Sequence, residues 1–243
     1  MKNLRIVTVA THRPFQWYYT FDQFFASSRK HGFEPLVLDG KFHHYSGLGS
    51  KVKMVYKAIK DGLIPEKHIL FCDCFDMFFA DSPNELLRKW FEFKDSPVVF
   101  SAEKNCLPAD LKEQYDEFKY KSSYCYLNSG MIVGETEKFL QLLESMNPTE
   151  IPDDYRNPDG SMTHINDQFL YQQAFLNSPV NVALDNMQTL CQTLHEVNID
   201  ELDLSGEKIK NKETGECPIL YHANGSAKDS GVKEPILKYL NLL

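Results

Sequence analysis

Asp73 and Asp76 stand three positions apart in an otherwise apolar run, Ile-Leu-Phe-Cys-Asp-Cys-Phe-Asp-Met-Phe-Phe-Ala over residues 69–80. A buried carboxylate without a partner costs several kcal/mol or takes up a proton. Two of them at the exit of a hydrophobic strand therefore need a counter-charge, and a divalent cation supplies it. Mg²⁺ and Mn²⁺ are held by one or two carboxylates, with substrate phosphates completing the shell. Residues three apart in a continuous strand face opposite sides, so the chain must turn between Asp73 and Asp76 for both to reach one ion. The alternative is a strand-end turn whose aspartates cap the next segment.

Three further segments carry polar groups of the same kind. Tyr221-His222-Ala223-Asn224-Gly225-Ser226-Ala227-Lys228 follows a short apolar stretch and offers an imidazole and a cation. Its plainer reading is a type I′ turn at Asn-Gly. Gly47-Leu48-Gly49-Ser50-Lys51 precedes a helical pattern, where backbone N–H groups can cradle an anion, although it matches no complete phosphate-loop motif and reads equally as a flexible turn. Asp167 follows His164-Ile165-Asn166 at a helix start, either as an ordinary N-terminal acid or as a carboxylate aimed into a crevice. His43-His44 sits in a polar loop and is simplest as solvated. No nucleophile elbow is present.

The elements that would position these groups alternate. Strands are expected at Leu4–Ala10, Glu34–Leu38, His68–Cys72, Pro97–Ala102 and Ser129–Gly134, with short late strands at Asn181–Leu184 and Pro218–Tyr221. Helices are expected at Phe15–His31, Lys51–Asp61, Pro83–Glu92 with Ser82 as N-cap, Thr136–Met146, Asn166–Leu176 and Pro235–Leu243. The alternation predicts one doubly wound α/β domain with a mixed, partly antiparallel later half. Such sheets bind ligands beyond the carboxyl ends of their strands, which is where Thr8–Thr11 and the aspartate pair fall.

Composition narrows the function. The chain's 243 residues suffice for a large core, and a net charge of −8 disfavours nucleic acid or an anionic membrane as partner. No stretch reaches the ~20 apolar residues of a membrane span, and the start is too short for a secretion leader, so a cytoplasmic protein is expected. The six cysteines then read as reduced core residues, and without a C-x-x-C pair structural zinc is disfavoured.

Taken in order, these segments resemble the glycosyltransferase domain of procollagen lysyl hydroxylases and its free-standing relatives of the GT-A class. The likeness rests on Val7-Thr-Val-Ala-Thr11, Gly47-Leu-Gly-Ser-Lys-Val-Lys53, Asp73-Cys-Phe-Asp76 with Phe79-Ala80, and Tyr126-Leu-Asn-Ser-Gly130. It continues through Asn166-Asp-Gln168, Leu184-Asp185, Gln192-Thr-Leu194 and His222-Ala-Asn-Gly225 with Lys228. The resemblance implies a GT-A, Rossmann-like mixed sheet flanked by helices in a single domain, with a nucleotide-binding half of about 1–102 and an acceptor half of about 103–243. It implies Mn²⁺, or Mg²⁺, on Asp73, Asp76 and His222, against the diphosphate of a UDP-sugar. Thr11, Phe75 (as a uracil platform), Lys51, Asn224, Gly225 and Lys228 would bind the donor, and Asp167 and Asn128 would be catalytic. The family's consecutive acids read Asn166-Asp167 here, with one carboxylate.

The expected activity is transfer of glucose or galactose from a UDP-hexose to a hydroxyl on a protein, hydroxylysine-like, or on a glycan. Two alternatives stand beside it: a nucleotidyltransferase, which would liberate pyrophosphate rather than UDP, and a non-catalytic domain that binds a nucleotide sugar.

Overall fold

A computed structural model describes residues 3–10, 18–40, 48–93, 95–151, 155–156, 162–163, 166–177, 181–228 and 231–243. Six strands form the main sheet: β1 (Leu4–Val9), β2 (Pro35–Leu38), β3 (His68–Cys72), β5 (Val98–Glu103), β6 (Tyr126–Glu135) and β9 (Val182–Asp185), in the order β2-β1-β3-β6-β5-β9. β1 pairs parallel with β2 and β3, β5 pairs parallel with β9, and β6 runs antiparallel to both of its neighbours. The sheet is therefore parallel except for one reversed strand near its centre. Its strands read as continuous apolar runs because both faces are covered. In β3, for example, Ile69 and Phe71 enter one core cluster while Leu70 and Cys72 enter the other.

Helices fill the two layers. α1 (Tyr18–His31) and α3 (Pro83–Trp90) bring Phe21, Phe24, Leu86 and Trp90 to one face. α2 (Ser50–Lys60), α5 (Thr136–Ser145), α6 (Asp167–Asn177) and α7 (Lys233–Tyr239) bring Val52, Val55, Phe139, Tyr171 and Ile236 to the other. Ser82 caps α3 by accepting from Glu85 N, with Pro83 at the first helical position, as expected from the sequence. The segment before β6 holds α4 (Lys112–Tyr115), a single helical turn where a loop was expected. All six cysteines are free thiols, four of them buried.

A second, three-stranded sheet has the order β10-β13-β4, from β4 (Met77–Phe79), β10 (Cys191–Thr193) and β13 (Leu220–His222). Two-residue ladders β7 (Tyr155–Arg156) with β8 (Met162–Thr163) and β11 (Leu202–Asp203) with β12 (Lys210–Asn211) complete the inventory. The apolar run at 69–80 is thus two strands in two sheets, with the required turn between them at residues 73–76. Periodicity could not separate β3 from β4, because every residue of both is buried. β10 was not expected at all: three residues are too few for a periodic signal. The helix expected from Phe15 is described from Tyr18, since 15–17 lie outside the described residues. Among those residues, no helix is long and apolar enough to cross a membrane.

Close approach between β6 and the start of β5 leaves no room at Gly134. A Cβ there would lie 2.5 Å from Pro97 O. Gly134→Ala is therefore expected to destabilise the fold by about 1–3 kcal/mol, as overpacking does, which a denaturant midpoint measures directly.

Candidate active site

The cleft forms where the two sheets meet, and an irregularity in β6 shapes it. The β5–β6 register shifts between Phe100 and Ser101, so that Phe100 faces Ile132 while Ser101 faces Asn128. The extra residues bulge at 129–131, and bulges of this kind re-aim side chains. Ser101 Oγ stabilises the bulge by accepting from Met131 N at 3.3 Å and approaching Asn128 O at 2.9 Å. Gly130 O then accepts from Asp73 N at 2.9 Å, which docks the 73–76 turn onto the bulge.

His222 arrives from the small sheet. Antiparallel pairing places it opposite Met77, and Ala223 N donates to Asp76 O at 2.8 Å. Its ring lies directly on Gly130, where a Cβ would come within 2.1 Å of His222 Cε1. Ligand atoms of Asp73, Asp76 and His222 all lie within 4.8 Å of one another, with Asp76 and His222 buried. The capping alternative for the aspartates fails, since the segment after them is strand β4 and Asp76 faces the imidazole at 3.3 Å.

The imidazole tautomer follows from the network. Gly130 N donates to Asn128 Oδ1 at 3.0 Å, and a backbone N–H can only donate, so the amide oxygen is oriented unambiguously. His222 Nδ1, also 3.0 Å from Asn128 Oδ1, must then carry a proton and donate it. Nε2 is left facing the aspartates, as a ligating histidine requires. Asn128 Nδ2 donates in turn to Glu103 Oε1 at 3.0 Å. Glu103 also accepts from Gln168 Nε2 at 3.1 Å and Asn224 Nδ2 at 2.8 Å.

Across the cleft, which has a volume of about 260 Å³, Lys51 reaches from α2. Its Nζ lies 2.7 Å from Asp73 Oδ1 and 3.2 Å from Asp167 Oδ2. Burial disfavours the ammonium, but Asp167 and Asp73 outweigh it and hold Lys51 well above its usual pKa. Burial pushes Asp167 up, with Lys51 opposing. Burial likewise raises Glu103 against the pull of its amide donors. For His222, burial works against the proton while Asp76, Asp73 and Glu103 favour it, and the net direction is upward. Asp167 is the first residue of α6, held by Ser129 Oγ at 3.4 Å, and it lines the cleft.

The expected site residues divide clearly. Asp73, Asp76, His222, Lys51, Asp167 and Asn128 come together in this cleft. Asn224 lines it too, but its amide is engaged internally: Oδ1 accepts from Leu194 N and His195 N, and Nδ2 serves Glu103. Gly225 opens a 3-10 turn with φ +56°, and the ring of His195 occupies the place a Cβ would take, 2.6 Å away, so the type I′ hairpin reading fails. Phe75 does not line the cleft; it packs half-buried against Phe21 at 5.6 Å. Thr11 and the Lys228 side chain lie outside the described residues, as do His43, His44 and His164. Glu103 and His195 were missed: Glu103 ends an apolar strand expected to stop at Ala102, and His195 follows a strand too short to carry a periodic signal.

Asn128→Ala removes the acceptor for His222 Nδ1–H; were Asp73, Asp76 and His222 to hold a divalent cation, the variant would bind it about 10–100-fold more weakly, measured by titration calorimetry with Mn²⁺ and Mg²⁺. Metal affinity is also expected to fall as pH falls, because the proton His222 retains above its ordinary pKa must leave before Nε2 can ligate. The same titration repeated across neutral pH checks that sign.

The PLOD GT domain family matches residues 1–233. "Uncharacterized protein R699" of Acanthamoeba polyphaga mimivirus is 30% identical over 191 residues, covering 78% of this chain and 38% of that protein. Procollagen-lysine,2-oxoglutarate 5-dioxygenase 1 of Gallus gallus is 29% identical over 243 residues, covering 93% of this chain and 30% of that protein. The chain thus spans well under half the length of these relatives. Among solved structures, galactosyltransferase LgtC in complex with donor and acceptor sugar analogs superposes with a TM-score of 0.52 at 14% identity, covering 98% of this chain and 96% of that one. The main sheet, the reversed β6 and the match along nearly all of the sequence agree, and the chain belongs to the PLOD GT domain family of glycosyltransferases, with the GT-A fold.

Proposed function

We propose that the chain transfers a hexose, glucose or galactose, from a UDP-sugar to a hydroxyl of a protein or glycan, with Mn²⁺ held by Asp73, Asp76 and His222. The observation that carries this reading is the convergence of that triad with the Lys51–Asp167 pair in one cleft. The donor set suits such an ion: carboxylates match Mg²⁺ and Mn²⁺, and the neutral imidazole nitrogen favours Mn²⁺ of the two. When bound, the metal would neutralise the negative charge that grows on the departing diphosphate.

The chain's own groups would do the rest. Asn128 holds His222 in the tautomer that leaves Nε2 free. Lys51 adds a fixed positive charge beside Asp73 that need not reorganise during reaction. Asp167, buried and paired with Lys51, would stabilise positive charge developing on the sugar ring. Thr11 and Lys228 would meet the uridine and diphosphate. The half-buried face of Phe75 would have to receive the uracil outside the cleft proper, beside the α1 layer.

UDP release from UDP-glucose or UDP-galactose is expected to require Mn²⁺ and to disappear in Asp73→Ala and Asp76→Ala. Full activity in both variants would refute the metal assignment, and pyrophosphate as the product would indicate a nucleotidyltransferase instead.

A further inference from the structure

At the opposite end of the sheet, a second pocket of about 180 Å³ is lined by Trp90, Phe91, Phe93, Asp95, Pro97 and Glu135, together with Ser96. The pairing of His68 with Glu135 and of Cys72 with Met131 puts this pocket at the start of β3 and the cleft at its end. That separation is about five strand residues, roughly 16 Å. The two sites are distinct.

Hydrogen bonds and ring contacts tie the walls together. Ser96 N donates to Phe93 O at 3.0 Å and Glu135 N to Pro97 O at 2.9 Å. Trp90 and Phe91 pack at 5.0 Å, and the His68 ring meets both edge-on, at 5.1 and 5.9 Å. Phe91 remains 58% exposed, so its ring is open to a ligand from solvent. The aromatic faces are electron-rich, and two carboxylates stand among them. Among the described residues, neither Asp95 nor Glu135 has a side-chain ion pair.

Aromatic faces combined with carboxylates that form no ion pair among the described residues attract a cation with an aliphatic stem, and repel an anion. We propose that this pocket binds a lysine or arginine side chain presented by a protein chain. The aliphatic stem would lie mainly against Phe91, since Trp90 is only 5% exposed, while the charged end meets Glu135 and Asp95. A neutral sugar ring would also stack on the rings, but it would leave both charges unanswered. The site would thus anchor a basic polypeptide at a distance from the cleft, whichever donor the cleft uses.

The test uses the whole chain carrying Trp17→Phe, which leaves Trp90 as sole reporter of the two tryptophans. Its fluorescence is titrated with Nα-acetyl-lysine amide, Nα-acetyl-arginine amide, the uncharged Nα-acetyl-norleucine amide and methyl glucoside. Both cationic probes are expected to saturate the signal, each about three- to tenfold more tightly than the norleucine probe, in keeping with an exposed cation–π contact plus ion pairing. That preference should vanish in Glu135→Gln/Asp95→Asn. Phe91→Ala, at an exposed side chain, should weaken cationic binding with an unchanged melting temperature. Equal binding of the norleucine probe, tighter binding of the glucoside, or no saturable change would each overturn the proposal. UDP release by the cleft is unaffected in every arm, so this test stands apart from the donor assignment.

Discussion

The whole site depends on one crossing, at residues 73–76, where the chain leaves the main sheet and enters the small one. Two carboxylates occur within that turn; Asp76 is buried and cannot be left unpaired without a cost of several kcal/mol, and Asp73 is half-buried beside it. The fold supplies Lys51 from α2 to Asp73 and His222 from β13 to Asp76. Each partner comes from a different layer, so the arrangement forms only when helix, main sheet and small sheet are all in place. The bulge in β6 is the seat for this assembly: its backbone receives Asp73 N, and Gly130 makes room for the imidazole.

Behind the charged groups lies a layer of amides that fixes their states. Asn128 reads the proton position of His222 from the backbone of Gly130, and Glu103 collects donors from Asn128, Gln168 and Asn224. A carboxylate surrounded by three amide donors is tied to β5, β6, α6 and the segment after β13 at once. That explains a buried glutamate in a strand that otherwise reads as core. Asn224 and Gly225, close to His222 in the chain, also shape the structure: one braces the backbone at 194–195, and the other yields space to the ring of His195.

Much of the framework was legible beforehand. The strands at the start of the chain and the capped helix at Pro83 follow from short-range periodicity and capping chemistry, which need no tertiary partner. The split of 69–80 into two strands was readable only indirectly, from the need for Asp73 and Asp76 to face the same way. Met77–Phe79 and Cys191–Thr193 carry no signal of their own, because three buried residues look the same in a strand, a helix or a turn. His222 was ambiguous for a different reason: a histidine before Asn-Gly has several local conformations, and the choice rests on pairing with a strand far away in the chain.

What the sequence determined alone was therefore chemical and local: two carboxylates that must be compensated, an alternation that demands a covered sheet, and an ordered set of motifs that resembles one family. The tertiary structure decided which cation meets which acid, which nitrogen of His222 faces the aspartates, and that Phe75 packs against Phe21 while Glu103 lines the cleft. These choices depend on contacts between residues widely separated in the chain, such as Asn128 with His222 and Glu103 with Asn224. No local preference encodes such pairings; they exist only once burial has removed water as the alternative partner.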